Sequence, residues 1–347
     1  MRAVRYSSVG GPLELVDVPE PTCPRDGAVV RVEATGICRS DWHAWRGHDP
    51  VPLPNIPGHE FAGVVAAVGP EVAHFAVGDR VTVPFVNGCG QCAWCLGGDA
   101  QVCPDQTQPG FTHTGSYAEL VQVRAADFNL VRLPDGVDAV TAAALGCRFA
   151  TAFHALTRQS RLASGEWLAV YGCGGVGLSA VVVGRALGAR VVAVDPSDAA
   201  RARALELGAD HALATLDVDA IVELTGGGTH VSVDALGSSV TAAASVRTLR
   251  RRGRHVQVGL MLADHADAPL PWGPVISKEL EVVGSHGMAA ADYPELLAMV
   301  ADGRLDVARL IGKVVTLDQA PAELAAMDNL VPASAGLVVA TVGPSRR

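Results

Sequence analysis

Apolar positions follow two rhythms along this chain. Up to about residue 145 they come in short runs cut by Pro and Gly: Ala28–Ala34, Gly63–Val68, Arg80–Val83 and Ala118–Val123. Their β-branched content and intervening turn residues predict the strands of a barrel-like β domain, with few helices before Asp138–Ala144. From residue 146 apolar strands alternate with Ala-rich helical stretches. The pattern predicts strand Trp167–Tyr171, helix Val176–Leu187, strand Arg190–Val194 and helix Ala199–Leu207, then strands at Val231–Asp234, Arg254–Val258 and Leu280–Val283. Strands without polar alternation, joined by helices, belong to a doubly wound parallel α/β sheet covered on both faces. Arg250 to Arg254 reads as the polar end of a helix entering the turn before His255–Val258. Helix Tyr293–Asp302 and a last strand, Gly336–Val342, complete the pattern; that strand can return to the first domain.

Composition then narrows the class. A length of 347 residues, 49% hydrophobic and 18% charged, suits two packed domains rather than a disordered chain. A net charge of -9, with no long basic run, argues against a nucleic-acid partner. No stretch of about 20 uninterrupted apolar residues suggests a membrane span, and the first residues lack a signal-peptide core. The expected location is therefore the cytoplasm.

Cysteine placement points to chemistry. Four of the eight cysteines, Cys89, Cys92, Cys95 and Cys103, form C-x2-C-x2-C-x7-C among interleaved glycines. Such spacing lets one loop wrap a tetrahedral ion, and four thiolates leave no open position, so a structural zinc is expected. An iron–sulfur cluster and unliganded thiols are the alternatives. Cys38, His59 and Cys147 are the remaining metal candidates; their spacing alone leaves a shared site and ordinary buried roles equally open.

A second motif follows strand Trp167–Tyr171: Gly172-Cys173-Gly174-Gly175-Val176-Gly177, opening a helix. The next strand runs into Asp195, 18 residues beyond Gly177. In a dinucleotide site the first glycine makes the tight turn, the second lets backbone approach the pyrophosphate, and the third allows close helix–strand packing. A carboxylate at Asp195 accepts from ribose hydroxyls and repels a 2′-phosphate, which favours NAD over NADP. Arg201 and Arg203 leave the strictness of that preference open.

The run Gly36-Ile37-Cys38-Arg39-Ser40-Asp41-Trp42-His43 with Gly58-His59-Glu60-Phe61-Ala62-Gly63 resembles the zinc-binding signature of zinc-dependent medium-chain alcohol dehydrogenases. The four-cysteine lobe, Gly146-Cys147, the glycine loop with Asp195, and Gly115-Ser116-Tyr117-Ala118-Glu119 stand in that family's order, so the resemblance spans essentially the whole chain. It implies a GroES-like β-barrel catalytic domain over 1–146, carrying the zinc lobe 88–104. A Rossmann NAD-binding domain would cover 147–285, and 286–347 would return to the first.

The resemblance assigns roles residue by residue. Cys38, His59 and Cys147 would hold a catalytic zinc with a fourth place free, giving two Zn2+ per chain, and Glu60 would lie close by as a transient ligand or a charge tuning the field. Asp41 would orient His59. Ser40 and His43 would form a proton relay through the cofactor ribose. Arg39 would reach the pyrophosphate and Thr151 the nicotinamide face. Phe85, Trp42 and Trp45 are candidates for pocket walls, and Leu337 sits where relatives often carry a basic residue. The implied activity is NAD-dependent interconversion of an alcohol and its aldehyde or ketone. A polyol or threonine-type dehydrogenase is the alternative; Cys147 argues against it, because those relatives often carry an acid there. A zinc-free reductase of this fold and a zinc-stabilised NAD-binding regulatory protein are further readings. The expected assembly is a homotetramer or homodimer joined through its parallel sheets.

Overall fold

The computed structural model describes residues 1–329 and 336–343; residues 330–335 and 344–347, within the expected returning segment, lie outside the described residues. The first apolar runs pair into a seven-stranded sheet. Its order is Ile311–Thr316, Leu337–Thr341, Ala28–Ile37, Phe61–Val68, Arg80–Thr82 and Val131–Arg132, with Leu120–Val123 also pairing Ala28–Ile37. Every pairing is antiparallel except that of Ile311–Thr316 with Leu337–Thr341. The last strand lies against Ala34–Ile37, the stretch just before Cys38. Val30, Val32, Phe61, Val65 and Val121 form the core of this unit with Val315, Leu317 and Leu324 from the far end of the chain. Segments from both ends of the chain, separated by the whole parallel-sheet unit, thus close around one apolar centre, where each buried Val or Leu stabilises by about 1.5–3 kcal/mol.

The second half forms a six-stranded sheet, parallel throughout, in the order His211–Leu213, Arg190–Val194, Trp167–Tyr171, Thr229–Asp234, Leu249–Gln257, Glu281–Gly284. The chain order reverses between Trp167–Tyr171 and Thr229–Asp234. In such a sheet the crevice beyond the strands' C-terminal ends at that reversal receives a ligand. The glycine loop and Asp195 both leave the sheet there.

Two elements differ from expectation. Arg250, Arg251 and Arg252 lie within strand Leu249–Gln257 and not at a helix end; the preceding helix stops at Arg247. Buried Leu249 begins the strand early, the three arginines stay exposed, and a register shift with a left-handed Arg252 absorbs the irregularity. Asp138 caps a helix that does not stop at Ala144: it continues through a π turn, Leu145–Phe149, helix Ala150–His154 and a second π turn, Ala155–Gln159. The run Ala139–Gln159 is long and apolar enough to span a membrane by composition, but 78% of its most apolar window is buried inside the molecule. It packs against Ala34, Ala62 and Val339 of the first sheet and Leu178 of the second unit, which accounts for its apolar faces all round.

Candidate functional site

Cys38 caps helix Arg39–Trp45 at the end of strand Ala28–Ile37. His59 follows Gly58, whose φ of +104° suits glycine, and a Cβ there would lie 2.4 Å from the Tyr117 ring. Cys147 comes from the π turn Leu145–Phe149, an irregularity that recurs at functional sites. Three distant segments thus meet: one ligand atom each from Cys38, His59, Glu60 and Cys147 lies within 4.8 Å of the others.

The surroundings prepare these atoms for a cation. Asp41, fully buried, pairs with His59 Nδ1 at 2.9 Å and accepts from the backbone N–H of Gly58 at 2.9 Å and the hydroxyl of Tyr117 at 3.2 Å. With Nδ1 engaged, Nε2 is turned inward; it is buried and has no hydrogen-bond partner. A hydrogen bond with Cys147, helped by the charges of Arg148 and His59, holds the Cys38 thiol well below its ordinary value and pushes Cys147 up. Burial disfavours charge on His59, but Asp41 and Cys38 outweigh it and raise its pKa. Soft sulfur donors, an unpartnered imidazole nitrogen and accumulated negative charge fit a zinc ion.

The four-cysteine lobe presents a closed counterpart. Cys89, Cys92, Cys95 and Cys103 bring their sulfurs within 4.8 Å of one another, with Cys92–Cys103 at 3.7 Å and Cys89–Cys95 at 4.0 Å. A tetrahedral ion with bonds of about 2.3 Å needs sulfurs about 3.8 Å apart. Gly90 and Gly98 take left-handed angles in the loop, and backbone N–H groups of Cys89 and Cys95 point at Cys103 and Cys92 sulfurs.

At the glycine loop, Gly172 has φ +88°, and no atom stands within 4 Å of a Cβ placed on Gly174. A Cβ on Gly177 would lie 1.8 Å from the carbonyl of Gly172. Turn, open backbone and close packing therefore fall on the three expected glycines. Asp195 accepts from the backbone N–H of Cys173 at 2.8 Å and of Ser197 at 2.9 Å, which ties the end of its strand to the loop.

Ser40 Oγ is 3.7 Å from Cys38 Sγ. His43 is half-buried, with Nδ1 3.1 Å from His48 Nδ1; burial, Arg39 and His48 hold it below its ordinary value. Arg39 donates to the Met327 carbonyl at 2.5 Å and stacks on Trp42, so here its guanidinium is committed to the segment after helix Ala320–Ala326. Thr151 is buried one turn beyond Cys147. Phe85 stands edge-on to His59 at 5.9 Å, whereas Trp45 donates to the Gly11 carbonyl and Trp42 to Asp328.

Several neighbours were not anticipated. Phe111 lies 5.2 Å from the His59 ring, and His286 5.4 Å from Phe85. Arg148 pairs with Glu60 in a buried ion pair. Its place directly after Cys147 was the one signal for it; nothing near Phe111 or His286 in sequence marks them.

Residues 24–135 match the alcohol dehydrogenase GroES-like domain family and residues 175–302 the zinc-binding dehydrogenase family. An alcohol dehydrogenase of Geobacillus stearothermophilus is 35% identical over 310 residues, covering 88% of this chain and 90% of that one. A sorbitol dehydrogenase of Halalkalibacterium halodurans is 33% identical over 89% of this chain and 90% of its own length. Among solved structures, alcohol dehydrogenase TADH from Thermus sp. ATN1 superposes with a TM-score of 0.91 at 30% identity, over 99% of this chain and 100% of that one. A cobalt- and zinc-bound thermostable alcohol dehydrogenase from Pyrobaculum aerophilum gives 0.84 at 29% identity, over 99% of each chain. With its parallel-sheet unit joined to a GroES-like unit, the chain belongs to the zinc-dependent medium-chain alcohol dehydrogenase family.

Proposed function

We propose that this enzyme interconverts an alcohol and its aldehyde or ketone with NAD, using a catalytic zinc held by Cys38, His59 and Cys147 and a structural zinc held by Cys89, Cys92, Cys95 and Cys103. The observation that carries the reading is the buried, unpartnered Nε2 of His59 facing two cysteine sulfurs. Zinc supplies Lewis acidity toward the substrate oxygen when bound there, and NAD supplies the hydride acceptor.

The chain's own groups do the rest. Asp41 fixes the His59 tautomer and so the direction of its lone pair. Ser40 Oγ, beside Cys38, accepts the proton of the substrate hydroxyl while passing its own hydroxyl proton on toward the His43 imidazole, which releases it at the surface. Its lowered pKa keeps His43 neutral, hence able to accept, at pH 7. Phe85 and Phe111 exclude water and shape an apolar wall. Gly172, Gly174, Gly175 and Gly177 cradle the pyrophosphate at the helix N-terminus. Asp195 selects the ribose hydroxyls of NAD, and Thr151 contacts the nicotinamide face. For Arg39 to meet the pyrophosphate, it has to exchange its Met327 contact.

The sorbitol dehydrogenase relative keeps a polyol substrate as the second reading. The domains proposed are 1–146, 147–285 and a return from 286. Location in the cytoplasm is part of the same reading, since the cysteines assigned to zinc must stay reduced thiolates. A homotetramer or homodimer is supported by the edge strand Glu281–Gly284, preceded by exposed Trp272 and Ile276.

The test is a panel of alcohols, polyols and carbonyls followed by NADH absorbance, with NAD and NADP in parallel and zinc counted per chain. We expect two zinc, NAD preference and turnover of simple alcohols. Cys38→Ala and His59→Ala should abolish turnover in folded protein with one zinc left; substantial activity in either variant removes the assignment.

A further inference from the structure

Glu60 is held with unusual completeness. Its carboxylate is fully buried, and four N–H groups converge on it. The backbone N–H of Cys147 and that of Arg148 each reach Oε1 at 3.2 Å, Arg148 Nε reaches the same oxygen at 3.1 Å, and Arg148 Nη2 donates to Oε2 at 2.5 Å. Gly36 backs the group so closely that a Cβ there would lie 2.2 Å from Oε2. The carboxylate is therefore a neighbour of the three donor atoms while its lone pairs serve Arg148.

Arg148 also reaches the other way. A Cβ on Gly175 would lie 2.5 Å from Arg148 Cδ and 3.4 Å from Cγ, so the aliphatic stem rests against the first residue of the helix that opens the glycine loop. One side chain thus touches both the dinucleotide loop and the carboxylate of the metal site.

We propose that Arg148 is a positioning residue that holds Glu60 clear of the fourth coordination place and transmits the state of the glycine loop to that carboxylate. The proposal rests on the zinc and NAD reading above. A buried carboxylate favours a cation beside it; among the described residues the Arg148 guanidinium is the one that bonds it directly, and a metal at the three-donor site would be the competing partner. While the guanidinium holds Glu60, the fourth place stays free for the substrate oxygen. Without it, the carboxylate turns to the metal and competes with substrate. Because the stem is wedged against Gly175, any shift of the loop on cofactor binding changes that hold. Occupancy of one site then biases the other, as a differential contact must.

The experiment uses full-length protein with Co(II) in the three-donor site and zinc kept in the cysteine lobe. Visible absorption reports the ligand set. Arg148→Met keeps the stem but not the charge. It should change the spectrum of the substrate-free protein and raise KM by about 10-fold or more with a smaller change in kcat. Adding Glu60→Gln should restore the original spectrum, since an amide ligates poorly. NAD should shift the spectrum of the parent protein and not that of Arg148→Met. Gly175→Ala, whose methyl displaces the stem, should shift it without cofactor. If Arg148→Met does not fold, Arg148→Lys carries the same test with a partial shift expected. A spectrum and NAD response unchanged in these variants overturns the proposal alone. Parent protein that takes up no metal at this site, or shows no turnover, overturns the zinc reading with it.

Discussion

Asp41 shows how much one side chain decides. Its two oxygens serve His59, Gly58, Tyr117 and the backbone N–H of Cys38, so it joins two of the three donor segments. Asp41→Asn keeps the shape but replaces an ionised acceptor with a weaker neutral one. We expect metal affinity at the open site to fall about 10- to 100-fold, measured by chelator competition, with the four-cysteine zinc unaffected. At this scale the sequence was informative where chemistry follows spacing. Asp41 was matched to its role through the family resemblance of the run around Cys38. Arg148 could not be, because its partner Glu60 lies 88 residues away and only packing brings them together.

At the scale of elements, the cysteine lobe depends on its ion. Its core is Cys95, Ala100, Cys103 and Ala289 with Cys89, Cys92 and Phe128 against them, too little apolar area to order a loop by itself. Cys103→Ala should reduce zinc from two to one per chain and cost about 2 kcal/mol or more, a fall in Tm of about 3 °C or more for a chain of this size. Scanning calorimetry with metal analysis checks both.

The long helical run Ala139–Gln159 offers a pH test. Arg158 near its end bonds Asp292 at 2.9 Å, tying it to helix Tyr293–Ala301. The His154 imidazole, 3.8 Å away, and the Arg158 guanidinium hold the Asp292 carboxyl below its ordinary value. A depressed carboxyl stabilises the fold above its unfolded pKa and loses that effect as pH falls through the folded value. Asp292→Asn should therefore be less stable than the parent at pH 7, and the gap in Tm should close as pH drops below about 4. A gap independent of pH would contradict the tie.

For the whole molecule, the last described strand matters more than its position suggests. Leu337–Thr341 lies between Ile311–Thr316 and the stretch Ala34–Ile37 that delivers Cys38. Leu337, Val339, Ala340 and Val342 are buried. Removing residues 337–347 should forfeit about 5 kcal/mol or more of apolar burial, a large part of an ordinary domain's stability. The open-site zinc should be lost with it, read by metal content and by loss of a cooperative transition in circular dichroism.

The sequence by itself determined whatever is encoded over short spans: the glycine loop before Asp195, the four-cysteine spacing, the parallel-strand texture after residue 146, and the types of side chain able to bind a metal. These are readable because turns, helix starts and loop chelates are set by neighbours a few residues apart. Tertiary structure alone decided that Cys38, His59 and Cys147 share one space, that Phe111 and His286 stand beside it, that Arg148 spans from Gly175 to Glu60, and that helix Ala139–Gln159 runs on as a buried strut. Those contacts join residues far apart in the chain, and their free energy comes from packing and from the exclusion of water, which no local pattern of residues records.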